Sequence, residues 1–284
     1  RAAKDAAAAS RVPLLAAAVS GNHILDKLLA FYKPGDNLRT KVCLTAPPSF
    51  GKSHSINLLG ASYDLYLTHG CSEDVDEIST LLGNVVPDGK GGFAIVDGVL
   101  TQAVRAASEG KNTLFFLDEV FRLFPKCQEW LLTFLQPVNT PTGPHYRLRT
   151  RKMDGAVLET ILCPCNKLHV IAAANLSLIK PIEAFWSRFF KVRLDWNLAD
   201  CTAVGEAILA AHGVTVSAKF AQSYAKLLGE TRAAVKTGQL AYPADFRLLE
   251  AACAHAITPT ECGVRDFLTA HLKGQVANWD GDLG

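Results

Sequence analysis

Apolar residues in the first two thirds of the chain gather in five short runs, each bounded by polar or turn-forming positions. The runs span residues 41–46, 63–67, 113–117, 168–174 and 189–194. Runs this short and this apolar are typical of strands that are buried on both faces. Stretches with helical patterns lie between them, at residues 52–59, 99–109 and 128–136. Strands that alternate with helices predict a parallel sheet with helices packed on both sides.

The pattern changes after Asp195, where no further strand is evident. Helical stretches follow at residues 199–212, 217–228, 243–257 and 259–272. The segment from Thr258 to Glu261 has the form of a capping box, with Pro259 at the first helical position. We therefore expect an α/β domain over residues 1–196 and a small all-helical domain over residues 197–284.

Composition and charge narrow the class of protein only slightly. The chain has 284 residues, of which 49% are hydrophobic and 20% charged, and its formal net charge of +2 is too small to indicate a nucleic-acid partner. No apolar run approaches the roughly 20 residues that a membrane-spanning helix needs. We therefore expect no membrane span.

The eight cysteines are too sparse for a disulfide scaffold, which favours a cytoplasmic protein with reduced thiols. Cys163 and Cys165 form the closest pair. They are either half of a zinc site or ordinary thiols. The second interpretation is favoured because no other Cys/His pair with suitable spacing accompanies them.

A candidate phosphate-binding loop follows the first predicted strand and opens a helix. Residues 46–53 match the pattern G-x-x-x-x-G-K-[ST], except that Ala46 stands in place of the first glycine. Backbone amides of such a loop bind phosphate oxygens, the lysine reaches the β- and γ-phosphates, and the serine hydroxyl holds Mg²⁺. The predicted nucleotide-binding residues here are Pro48, Ser49, Phe50, Gly51, Lys52, Ser53 and His54.

Two carboxylates, Asp118 and Glu119, come directly after the apolar run 113–117. Ligands of open parallel sheets bind at the carboxyl ends of the strands, so both acids are expected beside the phosphate loop. Asp118 would hold Mg²⁺ together with Ser53, and Glu119 would orient the water that attacks the γ-phosphate. A simpler explanation is that acidic residues are favoured at the start of a helix. This explanation does not account for the position of the two acids after a buried strand.

The stretch between these two motifs carries a longer pattern, LxG…F…DGxL…A…G…LDExxR, that runs from Leu81 to Arg122. With it, residues 20 to 270 resemble the AAA+ ATPases, specifically their MoxR and dynein-related branch. That branch includes midasin and the GTP-using motor of methyl-directed restriction complexes. The resemblance implies a P-loop αβα sandwich with a five-stranded parallel sheet, followed by a helical lid domain. It also implies ATP and Mg²⁺ as cofactors.

The resemblance assigns two further catalytic positions. Asn175 ends an apolar run where the family keeps its sensor 1, a polar group that positions water, although a turn-forming asparagine would look the same. Arg188 resembles the arginine finger that acts on the nucleotide of the neighbouring subunit; the alternative is a surface arginine near a helix end.

Two other arginines are less clearly assigned. Arg122 matches the last position of the family pattern and is either a second interface arginine or a structural residue. In the family, sensor 2 is often an arginine at the start of a lid helix, where this chain has Ala244. Arg247 lies one turn further along and is the candidate replacement, the alternative being a solvated side chain.

Two insertions resemble hairpins that face the pore of AAA+ rings, one in the second helix at residues 83–97 and one before sensor 1 at residues 145–166. In the second, Arg147, Arg149 and Arg151 alternate and share one strand face. That face either contacts nucleic-acid phosphates or is a solvated basic edge; the latter is favoured because few aromatic residues accompany it.

The sequence therefore predicts an ATP-hydrolysing, ring-forming motor of the MoxR type, expected to be a hexamer, that remodels or activates a partner protein. An adhesion-domain protein is one expected partner. The first alternative is a nucleic-acid-dependent motor, such as a translocase or helicase loader. The second is a scaffold that binds nucleotide without hydrolysing it, which Ala46 and Ala244 suggest. The choice between ATP and GTP is left open.

Overall fold

The computed structural model describes most of the chain after residue 40. The described ranges are 41–46, 52–73, 76–151, 158–175, 181–193, 198–214, 218–237, 244–256 and 260–280. Of the predicted site residues, Pro48, Ser49, Phe50 and Gly51 lie outside these ranges, as does the side chain of His54. None of the helices in the described ranges is long and apolar enough to cross a membrane.

The described strands and helices are interspersed through the first two thirds of the chain. In chain order the strands are β1 (Val42–Ala46), β2 (Leu65–Gly70), β3 (Gly83–Pro87), β4 (Phe93–Asp97), β5 (Thr113–Asp118), β6 (Val138–Thr140), β7 (Gly143–Arg151), β8 (Leu158–Pro164), β9 (Leu168–Asn175) and β10 (Phe190–Arg193). The helices are α1 (Lys52–Gly60), α2 (Glu77–Leu82), α3 (Val99–Ser108), α4 (Pro125–Phe134), α5 (Glu183–Trp186), α6 (Leu198–Ala211), α7 (Ala218–Lys236), α8 (Phe246–His255) and α9 (Glu261–Asp280).

Five strands form a parallel sheet in the order β10-β1-β9-β5-β2. Ala46, at the end of β1, pairs with Asn175, at the end of β9, so these two strands finish at the same level. β9 pairs on its other side with β5, which ends at Asp118. The carboxyl ends of β1, β9 and β5 therefore lie side by side at one edge of the sheet.

The central strands are buried because helices cover both faces of the sheet. In β5 every residue from Thr113 to Leu117 is buried, and only Asp118 is partly exposed. β1 is buried along its whole length, and β9 is buried up to Asn175. The apolar runs seen in the sequence therefore fill the core, and each polar residue that ends a run emerges at the edge.

Two smaller sheets project from this core. β3 and β4 form a two-stranded hairpin, within the range predicted for the helix-2 insertion. β6, β7 and β8 form a three-stranded antiparallel sheet, in which the short β6 was not predicted. Leu148 and Thr150 of β7 are buried while Arg147 and Arg149 are exposed, so alternate residues face the protein and the solvent as the sequence indicated.

The elements described after Asp195 are helices. α7 runs to Lys236 and is longer than the predicted 217–228. Thr258 and Pro259, which were predicted to cap and open the last helix, lie outside the described residues. That helix, α9, begins at Glu261, and the hydroxyl of Thr260 accepts the N–H of Gly263 at 3.3 Å. Asp245 caps α8 in the same way, accepting the N–H of Leu248 at 2.9 Å.

The predicted fold class is confirmed: a five-stranded parallel sheet with flanking helices is followed by a helical region. The chain divides into two compact units, one containing Lys52–Leu194 and the other Asp195–Gly284. The functional division of the chain at residue 196 into a nucleotide-binding core and a lid remains a prediction.

Candidate active site at the carboxyl edge of the sheet

Lys52, the first residue of α1, points its ammonium group along the carboxyl edge of the sheet. Its Nζ donates to the carbonyl oxygen of Ala46 at 3.3 Å and to Oδ1 of Asn175 at 2.8 Å. The residue is only 7% exposed. Because burial strengthens electrostatic interactions, a positive charge held here would bind a phosphate strongly.

Ser53 and Asp118 bring two oxygen atoms together beside this lysine. The Ser53 hydroxyl donates to Oδ2 of Asp118 at 2.8 Å, and the backbone carbonyl of Asp118 accepts the N–H of Cys71 at the same distance. Hydroxyl and carboxylate oxygens are the donors that Mg²⁺ prefers. The side chains that were predicted to hold Mg²⁺ are therefore neighbours, and their chemistry fits that ion.

Glu119 has a backbone conformation that few residues other than glycine adopt. Its φ of 56° and ψ of 38° are left-handed, and among the described residues it is the only non-glycine with positive φ. Such a conformation costs about 1–2 kcal/mol. Its N–H donates to Oδ1 of Asp118 at 3.0 Å, and a 3-10 turn, Val120–Arg122, follows. Strain of this kind is often stored where a side chain must be aimed in a particular direction.

Asn175 connects the two charged groups of the site. Its carbonyl oxygen accepts from Lys52, and its Nδ2 donates to Oε1 of Glu119 in a short hydrogen bond. The amide orientation is fixed by its neighbours, since the oxygen faces a cation and the nitrogen faces a carboxylate. The structure thus brings Lys52, Ser53, Asp118, Glu119 and Asn175 into one continuous hydrogen-bonded network.

Arg188 lies near the amino ends of the strands, whereas this network lies at their carboxyl ends. It sits in the turn between α5 and β10, its side chain is exposed, and β10 begins at Phe190, opposite Val42 of β1. Burial lowers the pKa of Lys41, the residue before β1, and the nearby charge of Arg188 lowers it further, although Cys165 acts the other way. Since β1 rises ~3.3 Å per residue, its two ends are about 13 Å apart.

The remaining predicted arginines, Arg122 and Arg247, both have exposed side chains. Arg122 is exposed at the end of the 3-10 turn, where its N–H donates to the carbonyl of Glu119 at 2.8 Å. Arg247 is exposed on α8, in the second unit. Their roles remain predictions.

Cys163 and Cys165 are both buried, and burial raises the pKa of the Cys163 thiol to about 12. The one group of potential metal ligands found in the described ranges contains neither of them. The structure therefore gives no support to a half zinc site at this pair within the described part of the chain.

Two features of the structure were not predicted from the sequence. Arg105 on α3 forms ion pairs with Asp97, at the end of β4, and Glu159, on β8, and so joins both projecting sheets. His69, Cys71 and Glu77 cluster at the end of β2. Neither set has a sequence signature, because the partners come from elements that only the tertiary fold brings together.

The fold and the site together define a P-loop nucleotide-binding protein. A family model described as "AAA domain (dynein-related subfamily)" matches residues 41–189. This chain belongs to that family, and the match extends from the residue before β1 to the residue before β10. A search of curated protein sequences gave no significant match. Membership establishes nucleotide binding and, in general, ATPase activity.

Proposed function

We propose that this chain is an ATP-driven motor subunit of the MoxR type, which assembles into a ring, expected to be hexameric, and remodels or activates a partner protein. One observation supports this proposal most: the Lys52–Asn175–Glu119 network lies at the carboxyl ends of the strands and Arg188 near their amino ends. With Arg188 about one strand length away, we do not expect this residue to act as an arginine finger in the site of its own chain. A neighbouring subunit in a ring can supply one.

ATP binding would rearrange the hydrogen bonds that Lys52 now makes. The ammonium group would leave the neutral oxygen of Asn175 for the β- and γ-phosphate oxygens, while the amides around Gly51 would hold the remaining phosphate oxygens. Ser53 would hold Mg²⁺ directly and Asp118 through water, and the ion would neutralise the charge that develops on the phosphates. Arg247, on α8, is proposed as the sensor 2 residue.

Hydrolysis would require Glu119 to exchange its bond with Asn175 for one with the attacking water. The left-handed backbone of Glu119 restricts where its carboxylate can point, so little reorganisation is needed during the reaction. Asn175, released from Lys52, would hold the same water from the side of β9. Arg188 of the next subunit would stabilise the charge on the transferred phosphoryl group, so that hydrolysis depends on assembly.

The hairpin formed by β3 and β4 favours a protein as the partner. Three of its apolar side chains are exposed: Phe93 by 73%, Val96 by 54% and Val85 by 41%. Apolar side chains of this size bind other apolar side chains and gain little from phosphates. An adhesion-domain protein remains the expected kind of partner.

The second candidate function, a nucleic-acid-dependent motor, is supported by Arg147 and Arg149. Both are exposed on the same face of β7, where phosphates could reach them. ATPase rates measured with and without DNA at low salt test this candidate. Stimulation that the double substitution Arg147→Ala/Arg149→Ala removes would establish it, and its absence would exclude it.

A Glu119→Gln variant tests the partner proposal, because it should bind ATP, fail to hydrolyse it and keep partners bound. Affinity capture with ATP should recover a protein, and Lys52→Ala, which cannot hold nucleotide, should recover none. Recovery of nucleic acid without protein would contradict the proposal. Phosphate release by the unaltered protein, absent in Lys52→Ala and Arg188→Ala, would exclude the scaffold alternative.

A further inference from the structure

Three residues with metal-binding side chains meet where the edge strand β2 ends. His69 is the penultimate residue of β2, Cys71 follows the strand, and Glu77 is the first residue of α2. One ligand atom from each lies within 4.8 Å of the others. Nothing in the proposed ATPase mechanism uses any of the three.

The cluster is enclosed by protein. The side chains of His69 and Glu77 are 11% and 6% exposed, and Cys71 is 5% exposed. Burying a carboxylate is costly unless charge or hydrogen bonds compensate it. Glu77 Oε1 accepts from the N–H of Ser72 at 2.9 Å and lies 2.9 Å from Nε2 of His69. The carboxylate is therefore fixed in place with its histidine neighbour beside it.

We propose that His69, Cys71 and Glu77 form a binding site for one Zn²⁺ ion. An imidazole nitrogen, a thiol sulfur and a carboxylate oxygen are the three donor types that zinc accepts, whereas Mg²⁺ and Ca²⁺ take oxygen ligands. The ligand atoms need to move only slightly, because Zn–ligand distances of about 2.0–2.3 Å place neighbouring ligands about 3.3–3.8 Å apart. The ion would replace the hydrogen bond between His69 and Glu77.

Metal binding would release a proton from Cys71. Burial, and next the charge of Glu77, raise the pKa of this thiol, so the metal-free cluster holds a neutral sulfur. When zinc binds, the S–H bond breaks, a Zn–S bond forms and the proton passes to the solvent, with no change in oxidation state. A further buried thiol, Cys127, lies near Cys71.

The site is connected to the catalytic edge through the backbone. The N–H of Cys71 donates to the carbonyl of Asp118 at 2.8 Å, which continues the pairing of β2 with β5 by one residue. A bound ion would tie α2 to the end of β2 and so stiffen the turn beside Asp118. The proposed role of the ion is structural. The zinc proposal does not depend on whether the partner proposal is correct.

Metal analysis of the purified full chain tests the site. The protein is stripped with a chelator, incubated with Zn²⁺ and separated from free ions, and its zinc content is then measured with Mg²⁺ in excess. We expect about one zinc per chain. Cys71→Ser should lower the zinc affinity by at least ~10-fold. The matched control is Cys163→Ser, which changes another buried cysteine and should leave zinc binding unaltered.

Cobalt substitution gives a second measurement that identifies the ligand. Co²⁺ bound by Cys71 produces a sulfur-to-metal charge-transfer band, which Co²⁺ bound by the oxygens of Ser53 and Asp118 does not. The band should be present in the unaltered chain and in Cys163→Ser. If the unaltered, folded chain takes up no zinc, or if Cys71→Ser binds zinc as tightly, the proposal is wrong. Circular dichroism verifies that each variant is folded.

Discussion

Substituting Arg105 by methionine should destabilise the first unit, because its guanidinium joins α3 to both projecting sheets. Its Nε donates to Asp97 at 2.6 Å, and its Nη1 and Nη2 donate to Glu159 at 3.1 and 2.7 Å. Hydrogen bonds with Glu159, followed by those with Asp97, raise the pKa of Arg105, so the group stays charged. Methionine keeps most of the side-chain length but removes every donor.

The size of the effect follows from the exposure of the three side chains. A hydrogen bond between charged groups contributes about 1.5–3 kcal/mol when buried. Arg105, Asp97 and Glu159 are 34%, 25% and 28% exposed, so solvent screening reduces each contribution. Two partners at about 1–1.5 kcal/mol each give an expected loss of ~2–3 kcal/mol. Without Arg105, the two carboxylates are also left without the guanidinium that holds them near each other.

Urea unfolding followed by tryptophan fluorescence measures this loss, since Trp130 and Trp186 pack against the core of the first unit. The control is Lys111→Met, which breaks an exposed ion pair with Glu109 in the same unit and should cost about 0.5 kcal/mol. The double variant Arg105→Met/Glu159→Gln should lose less than the sum of its single variants. If Arg105→Met is no more destabilising than Lys111→Met, the argument that this arginine joins the two sheets is refuted.

Three further predictions concern the nucleotide site, the partner surface and the helical region. Ser53→Ala should weaken Mg²⁺-dependent ATP binding by at least ~10-fold while binding without Mg²⁺ changes little; equal loss in both titrations would contradict the metal role. Phe93→Ser should lower partner capture without changing the basal ATPase rate, because the side chain is 73% exposed on the hairpin; unchanged capture would exclude this surface. Asp245→Ala should lower thermal stability by about 1 kcal/mol through loss of the α8 cap, whereas Asp266→Ala, on the exposed surface of α9, should have little effect.

The sheet and its site could be predicted because buried parallel strands have a recognisable sequence pattern, a short run of apolar residues. Runs such as 113–117 are apolar throughout, and the polar residue that ends each run emerges at the carboxyl edge. Asp118 was therefore expected near Lys52 from its place after a strand, and Asn175 was expected there from the family resemblance; the structure brings all three together. The order of the strands was not predicted, because local sequence does not encode it.

Contacts between distant elements could not be predicted in this way. Glu77 meets His69 and Cys71 because α2 folds back over the end of β2, a path that no local pattern specifies. β6 has only three residues, too few to show an alternating pattern.

The left-handed backbone conformation of Glu119 could not be predicted from the sequence either. Glutamate gives no local preference for positive φ, so the surrounding structure must impose this conformation. Its N–H is held by the adjacent Asp118 and its carboxylate by Asn175, and the second bond requires that β5 and β9 are paired. The direction of the carboxylate that we propose as catalytic is thus a property of the tertiary fold.

The proposal that neighbouring subunits share each active site is tested most directly by mixing two inactive variants. Glu119→Gln lacks the residue that orients water, and Arg188→Ala lacks the finger, so each alone should hydrolyse ATP at least ~10³-fold more slowly. Mixed rings should regain activity at about a quarter of their interfaces at equal proportions, where an Arg188→Ala subunit receives the arginine of a Glu119→Gln neighbour. If mixtures that exchange subunits stay as inactive as their components, or if Arg188→Ala alone hydrolyses ATP normally, Arg188 does not act on the adjoining site.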